Sequence, residues 1–178
     1  MAGPVLAGDA GAVQDEGDAR LVQGAVGDDI PAVEELDGVD IVGRFSPVGA
    51  VGKVARRVLV VGVGSMAGCA METGAALAAH GIEVTVASPT WVLPVPENLV
   101  KLCGEHDLVV TAEDGVVDGG VGDMLAQRAG EQGIATPQVH IGLPVAFLDH
   151  ASRDHIVKAQ RMTAADATRD ALAALALV

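Results

Sequence analysis

Three glycines near the middle of the chain have a spacing that could bind a dinucleotide. Gly62, Gly64 and Gly68 follow an apolar run at 58–61 and open a segment with the composition of a helix. Glycines at such a turn let a pyrophosphate approach the free N–H groups at the start of the helix. The rest of the signature is missing, because the next apolar run ends at 87–90 without a carboxylate for a ribose or an arginine for a 2′-phosphate. We favour a structural interpretation, in which Gly64 forms the turn and Gly68 lets helix and sheet approach closely.

The acidic, glycine-rich segment 113–123 is a second candidate. Its acidic residues are Glu113, Asp114, Asp118 and Asp123. Carboxylates at a strand end could ligate Mg²⁺ or act as general bases, although no phosphate-binding lysine follows them. The structural alternative is a solvated loop that serves tight turns, helix packing and a contact between subunits. The glycines that would make this contact are Gly119, Gly120 and Gly122.

A third group of polar residues lies close to the carboxyl end of the chain. His150 and His155 are five positions apart, which is not the spacing of four that directs two ligands from a helix to one metal. Ser152, between His150 and Asp154, could belong to a hydrolytic triad. A role for Ser152 as a helix cap explains the serine more simply.

Alternating strands and helices must position these residues. The predicted strands are 58–61, 82–87, 108–111 and 139–141, and the predicted helices are 66–80, 96–105, 119–132 and two more after Ser152 and Thr163. Strands interleaved with helices are typical of βαβ units with right-handed crossovers. The sequence therefore predicts a three-layer α/β fold, with a mostly parallel sheet of roughly five strands and helices on both faces.

Several residues predict where the helices begin. Ser65 is placed to cap the first helix, and Pro96 is placed as the first residue of the second. Ser152 and Thr163 are predicted caps of the last two helices. Asp166, three positions after Thr163, comes close to a capping-box pattern.

Composition excludes several classes of function. The chain has 178 residues, half of them apolar, but only 2% are aromatic, which argues against a base-stacking surface for nucleic acid. A net charge of −13 disfavours phosphate backbones and anionic membranes as partners. No apolar run reaches the roughly 18 residues of a membrane span. Two cysteines, Cys69 and Cys103, are too few for a disulfide scaffold and fit a reduced protein. No basic and apolar leader pattern opens the sequence, so we expect the cytoplasm as its location.

The distribution of charge divides the chain into two parts. Residues 1–40 contain ten acidic residues and a single basic one, with no clear hydrophobic period. We interpret residues 1–54 as an acidic tail or the remnant of a preceding domain. Residues 55–178 are predicted to form one globular domain.

From about residue 56 onward, the sequence resembles the C-terminal domain of the 1-deoxy-D-xylulose-5-phosphate synthases, which belong to the transketolase superfamily. The matching segments come in the family's order and cover most of the predicted domain. They are 58–66, 81–95, 106–111, 113–123, 141–144, Phe147 and 150–153. The resemblance implies the transketolase C-terminal fold, with one antiparallel strand at an edge of the sheet.

A weaker match lies in the acidic part of the chain. Residues 20–31 resemble the stretch that ends the preceding, pyrimidine-binding domain of the family. Leu21, Val22 and Gln23 stand where the family has an aromatic residue, a proline and a second basic residue. The resemblance implies that Arg20 helps to hold the phosphate of the substrate.

The resemblance also implies a function for the complete enzyme. Such enzymes use thiamine diphosphate and Mg²⁺ to condense pyruvate with glyceraldehyde 3-phosphate, releasing CO₂. The family's Gly-Asp-Gly cofactor motif does not occur in this sequence, so we expect no cofactor site in this chain. We expect a structural domain that makes a dimer contact through Glu113, Asp114 and the glycines that follow them. A dinucleotide-binding module and a stand-alone interaction or regulatory subunit remain as alternatives.

Overall fold

The computed structural model describes residues 20–21, 34–47 and 56–176, with the backbone alone at 20–21. The strands are β1 (Arg20–Leu21), β2 (Glu34–Leu36), β3 (Val39–Ser46), β4 (Arg57–Gly62), β5 (Glu83–Pro89), β6 (Leu108–Val116) and β7 (Gln138–Leu143). The helices are α1 (Ala67–Ala79), α2 (Glu97–Gly104), α3 (Val121–Glu131), α4 (Arg153–Ala159) and α5 (Ala164–Leu175). A single 3-10 turn, Gly64–Met66, precedes α1.

The strands form one mixed sheet in the order β1-β3-β5-β4-β6-β7, with β2 also paired to β3. Strands β5, β4, β6 and β7 are parallel to one another, whereas β3 is antiparallel to β5. The short strands β1 and β2 extend the sheet beyond β3, both antiparallel to it. This topology confirms the predicted α/β fold with a mostly parallel sheet of roughly five main strands and one antiparallel strand.

The core lies on both faces of the sheet, because side chains alternate along each buried strand. Val58 and Val60 of β4 face the cluster that contains α1 and α5. Leu59 and Val61 of the same strand face the cluster that contains α2 and α3. All four of these side chains are fully buried, as the continuous apolar run predicted. The molecule therefore has the three layers expected from its sequence.

Strand β3 was not identified from the sequence, and its bulge explains why. The register against β5 shifts between Ile41 and Gly43, which breaks the alternation that indicates a strand. As a result Val39 and Ile41 belong to one core cluster, and Val42 and Phe45 belong to the other. The sheet thus extends into the stretch 1–54, and the division at 54/55 stays a prediction.

The predicted helix starts are confirmed for α4 and α5, differ by one residue for α2 and are wrong for α1. Ser152 caps α4 by accepting the N–H of His155, and Thr163 caps α5 with Asp166 in a full capping box. Pro96 occupies the N-cap of α2, one position before the predicted one. The prediction for Ser65 was wrong, because Ser65 lies in the 3-10 turn, and Met66 occupies the N-cap of α1 without a side-chain cap.

None of the helices in the described ranges combines the length and the apolar character needed to cross a bilayer.

Candidate functional site

The order of the strands reverses between β4 and β6. The chain passes from β4 through α1 to β5 on one side, and then through α2 to β6 on the other side of β4. Open α/β sheets bind ligands in the crevice at the carboxyl ends of the strands where this reversal occurs. Both glycine-rich segments singled out from the sequence leave the sheet at this place.

The glycines after β4 are used for packing of the backbone. A Cβ atom on Gly62 would lie 2.7 Å from both the Ala67 Cα and the Ala70 Cβ, so Gly62 is where helix α1 meets the sheet. Gly64 has a φ of +55° and forms the turn, as predicted. Gly68 has nothing within 4 Å of an added Cβ. The close approach assigned to Gly68 therefore belongs to Gly62.

The side chain of Arg153, from the start of α4, lies in the crevice between the two loops. Its Nε donates to Asp114 Oδ2 at 2.7 Å, and its Nη2 donates to Ser65 Oγ at 3.3 Å. Nη2 also lies 3.5 Å from the sulfur of Met66. The guanidinium thus lies beside the start of α1, where a pyrophosphate would bind in a dinucleotide fold. The positive charge of the guanidinium is already paired with the Asp114 carboxylate.

Glu113 organises the loop after β6. It is only 5% exposed, and its carboxylate accepts the N–H groups of Val121 at 2.9 Å and Gly122 at 3.0 Å. N–H groups in the first turn of a helix have no acceptor within the helix. The N-cap residue of α3, Gly120, has no side chain that could accept them, so Glu113 takes this role. A carboxylate at this end of a helix is also favoured by the helix dipole. Glu113 is therefore a buried helix anchor, which differs from the solvated loop residue expected from the sequence.

The glycines of the same loop surround this anchor. A Cβ on Gly120 would clash with the carbonyl oxygen of Val116 and would lie 2.6 Å from Glu113 Oε1. A Cβ on Gly122 would clash with His140 Nδ1, the ring nitrogen that is hydrogen-bonded to Thr111 Oγ1 at 2.8 Å. A side chain at position 120 or 122 would therefore overlap atoms of Val116, Glu113, Thr111 or His140 of the same chain.

Two of the residues predicted to contact another subunit stay at the surface. Asp114 keeps 35% of its side chain exposed. Gly119 is exposed, has a φ of +75° and donates its N–H to Asp123 at 2.7 Å. The contact with another subunit stays a prediction, and we assign it to the exposed residues Asp114 and Gly119.

The acidic residues of segment 113–123 do not come together as a magnesium site in the described part of the chain. No group of three or more histidine, cysteine, aspartate or glutamate side chains is placed to hold a metal in the part of the chain that the structure describes. Three of the four acids of this segment are engaged, since Glu113 binds two N–H groups, Asp114 binds Arg153 and Asp123 binds the N–H of Gly119. The fourth, Asp118, is exposed.

The remaining candidates from the sequence have structural roles where they are described. The Ser152 hydroxyl accepts the N–H of His155 as a helix cap, in agreement with the simpler of its two interpretations. Burial raises the pKa of Cys103 to about 12 and also raises the pKa of Cys69, so neither is an activated thiolate. The backbone of Arg20 pairs with Ser46 at the edge of the sheet, and its proposed role with phosphate stays a prediction.

Two surface features were missed by the sequence analysis. A cavity of about 600 Å³ lies between the loop after β5 and helix α3, lined mainly by Trp91, Leu93, Pro94 and Met124. At the carboxyl edge of β6 and β7, the side chains of Val116, Val145 and Phe147 are exposed. The clustering of exposed apolar residues depends on how the loops fold, so no periodic signal marks it in the sequence.

Comparisons with known proteins agree with this architecture. Residues 49–166 match the family described as transketolase, C-terminal domain. The 1-deoxy-D-xylulose-5-phosphate synthase of Kocuria rhizophila is 43% identical over 157 residues, which are 88% of this chain and 24% of the relative. The synthase of Clavibacter sepedonicus is 44% identical over 155 residues, which are 86% of this chain and 23% of the relative.

A solved structure described as a split gene transketolase, inactive beta4 tetramer, has a TM-score of 0.65 and 26% identity. The match covers 78% of this chain and 42% of that one. The chain thus spans less than a quarter of the length of the first of the curated relatives it matches. The family model, the relatives and the fold together show that this chain belongs to the transketolase C-terminal domain family, of the 1-deoxy-D-xylulose-5-phosphate synthase type.

Proposed function

We propose that this chain provides the structural C-terminal domain of a 1-deoxy-D-xylulose-5-phosphate synthase-like enzyme. The complete enzyme would condense pyruvate with glyceraldehyde 3-phosphate and release CO₂, giving an isoprenoid precursor. Thiamine diphosphate and Mg²⁺ would be held by domains outside this chain. Such an enzyme would work in the cytoplasm, the location expected from the sequence.

One observation carries the proposal beyond the family assignment. In the crevice at the reversal of strand order, Arg153 is paired with Asp114. The buried carboxylate of Glu113 beside them binds two N–H groups of α3. Glu113, Asp114 and Arg153 are thus bound to other groups of the chain, which supports a role in which the domain holds other domains in place. The exposed residues Asp114 and Gly119 are the part of the crevice rim that we propose contacts a second subunit or those domains.

The test is an activity measurement on the purified chain. With pyruvate, glyceraldehyde 3-phosphate, thiamine diphosphate and Mg²⁺, we expect no formation of 1-deoxy-D-xylulose 5-phosphate above a protein-free control. The Kocuria rhizophila synthase, assayed under the same conditions, serves as the positive control. Product formed by the chain alone would overturn the proposal.

The proposed role of Arg20 in binding phosphate belongs to the assembled enzyme. Arg20 lies on the strand that extends the sheet at its antiparallel edge. Replacing Arg20 by glutamine in the assembled enzyme should raise the KM for glyceraldehyde 3-phosphate and leave the KM for pyruvate unchanged. Equal changes in both values would show that Arg20 does not contact the phosphate.

A further inference from the structure

The cavity between the loop after β5 and helix α3 has the size and the lining of a small-molecule site. Its volume is about 600 Å³, and such sites in proteins have volumes of roughly 300–1,000 Å³. Apolar side chains dominate the lining, among them Trp91, Leu93, Pro94 and Met124. Trp91 is 43% exposed and Leu93 is 63% exposed, so both side chains are accessible to a small molecule from solvent.

The indole of Trp91 is held in place by two neighbouring segments of the chain. A Cβ on Gly38 would lie 2.7 Å from Trp91 Cζ2 and 2.9 Å from Pro96 Cβ. The edge of the indole ring therefore packs directly against the backbone of Gly38. Because the ring is already fixed by this contact, a ligand that stacks on its exposed part does not have to order it, which lowers the entropic cost of binding.

Asp37 adds a carboxylate to the lining of the same cavity. Asp37 and Gly38 form the two-residue turn that joins β2 to β3. Two hydrogen bonds attach this turn to the walls of the cavity, from the Thr90 N–H to the Gly38 carbonyl at 3.0 Å and from Asn98 Nδ2 to the Asp37 carbonyl at 3.2 Å. The Asp37 side chain is exposed, and its carboxylate has no hydrogen-bond partner within the part of the chain that the structure describes.

The other charged groups of the lining leave this negative charge unbalanced. Arg128 is the base in the lining, and its guanidinium is already paired with two carboxylates, Glu97 at 2.9 Å and Glu131 at 2.7 Å. A hydrogen bond from Gln132 lowers the pKa of Glu97, so this acid is ionised at neutral pH. A carboxylate without a paired base, beside an exposed indole, favours an organic cation, which is attracted both to the charge of Asp37 and to the π-system of a tryptophan.

We propose that this cavity binds a small organic cation, which consists of an ammonium group on an apolar body. The ammonium group lies against the exposed part of the Trp91 indole and near the Asp37 carboxylate, and the apolar body fills the rest of the cavity. A neutral or anionic molecule of the same shape lacks both electrostatic contacts. The cavity is lined by none of the residues to which we assign the contact with other domains, so the inference goes beyond the proposed function and does not depend on it.

Fluorescence titration of the full chain tests the proposal, because Trp91 is its single tryptophan and reports on this cavity alone. The probes are phenylbutylammonium, phenylbutanol and phenylbutyrate, which share an apolar body and carry a positive, a neutral and a negative head group. We expect a saturable change in emission with the ammonium probe, which should bind about tenfold more tightly than the alcohol. The carboxylate probe should bind most weakly. Equal affinities for the ammonium and alcohol probes, or no saturable change with the ammonium probe, would overturn the proposal.

The variant Asp37→Asn tests the carboxylate at nearly constant size. We expect the affinity for the ammonium probe to fall about threefold and the affinity for the alcohol to stay unchanged. The matched control is Asp118→Asn, which removes the same charge from an exposed position in the loop after β6 and should change neither affinity. Wild-type affinity for the ammonium probe in Asp37→Asn would also overturn the proposal. All of these outcomes leave the proposed function standing, because that function is tested separately by the assay for synthase activity.

Discussion

Two glycine-rich loops leave neighbouring strands at the same edge of the sheet, yet they are built on different principles. The loop after β4 has no buried charge, and its closest contact is between Gly62 and the backbone of α1. The loop after β6 is organised around the buried carboxylate of Glu113, which binds N–H groups of α3. Glycine in the first loop lets backbone meet backbone, and glycine in the second makes room for a side chain.

The comparison shows that similar composition does not identify similar function. Both loops looked like ligand sites, because glycines and acids at strand ends are typical of phosphate and metal sites. In the second loop Glu113, Asp114 and Asp123 bind groups of the chain itself. In the first loop Gly62 serves the close packing of α1 on the sheet.

The largest effect should come from Glu113→Ala. Removing the carboxylate leaves two N–H groups at the start of α3 without their charged acceptor, and we expect a loss of about 3 kcal/mol in the free energy of unfolding. Urea denaturation followed by circular dichroism measures this. Asp118→Ala, an exposed acid in the same loop, is the matched control and should change stability by less than about 0.5 kcal/mol. Equal losses for the two variants would show that Glu113 is not the organising residue.

A smaller effect is expected from Gly62→Ala in the other loop. The added Cβ would overlap backbone and Cβ atoms of α1 at 2.7 Å, so strand and helix must separate. We expect a loss of about 2 kcal/mol from this overpacking. Gly68→Ala is the control, because Gly68 lies in α1 with open space around it, and alanine should there stabilise the helix by about 0.5 kcal/mol. If both alanines destabilise the chain, the assignment of the close contact to Gly62 is wrong.

The smallest effect concerns Arg153, which joins the two loops. Its pair with Asp114 is half-exposed, with 51% and 35% of the two side chains accessible. Arg153→Gln should therefore reduce stability by no more than about 0.5 kcal/mol. A double-mutant cycle with Asp114→Asn isolates the coupling between Arg153 and Asp114, which should disappear in 1 M salt. Coupling that persists in salt would mean that Arg153 acts by packing and not by charge.

The sequence predicted the architecture well wherever the signal was local. The buried strand at 58–61 and the capping box of Thr163 and Asp166 were both confirmed. Strand β3 escaped notice because its bulge interrupts the period of two. The role of Glu113 escaped notice because an acid in a glycine-rich segment is usually solvated. The sequence predicts a helix from 119 but does not show that Glu113 lies against its first turn.

By itself, the sequence determined the order of strands and helices after residue 56, the mostly parallel character of the sheet and the family resemblance. These depend on periodicity, turn residues and caps, which act over a few neighbouring positions. Only the tertiary structure decided which polar groups are free, because Arg153 meets Asp114 and Ser65 across 39 and 88 positions of the chain. It also decided that Phe45 is buried and Phe147 exposed, since burial depends on which surfaces of the folded chain come together.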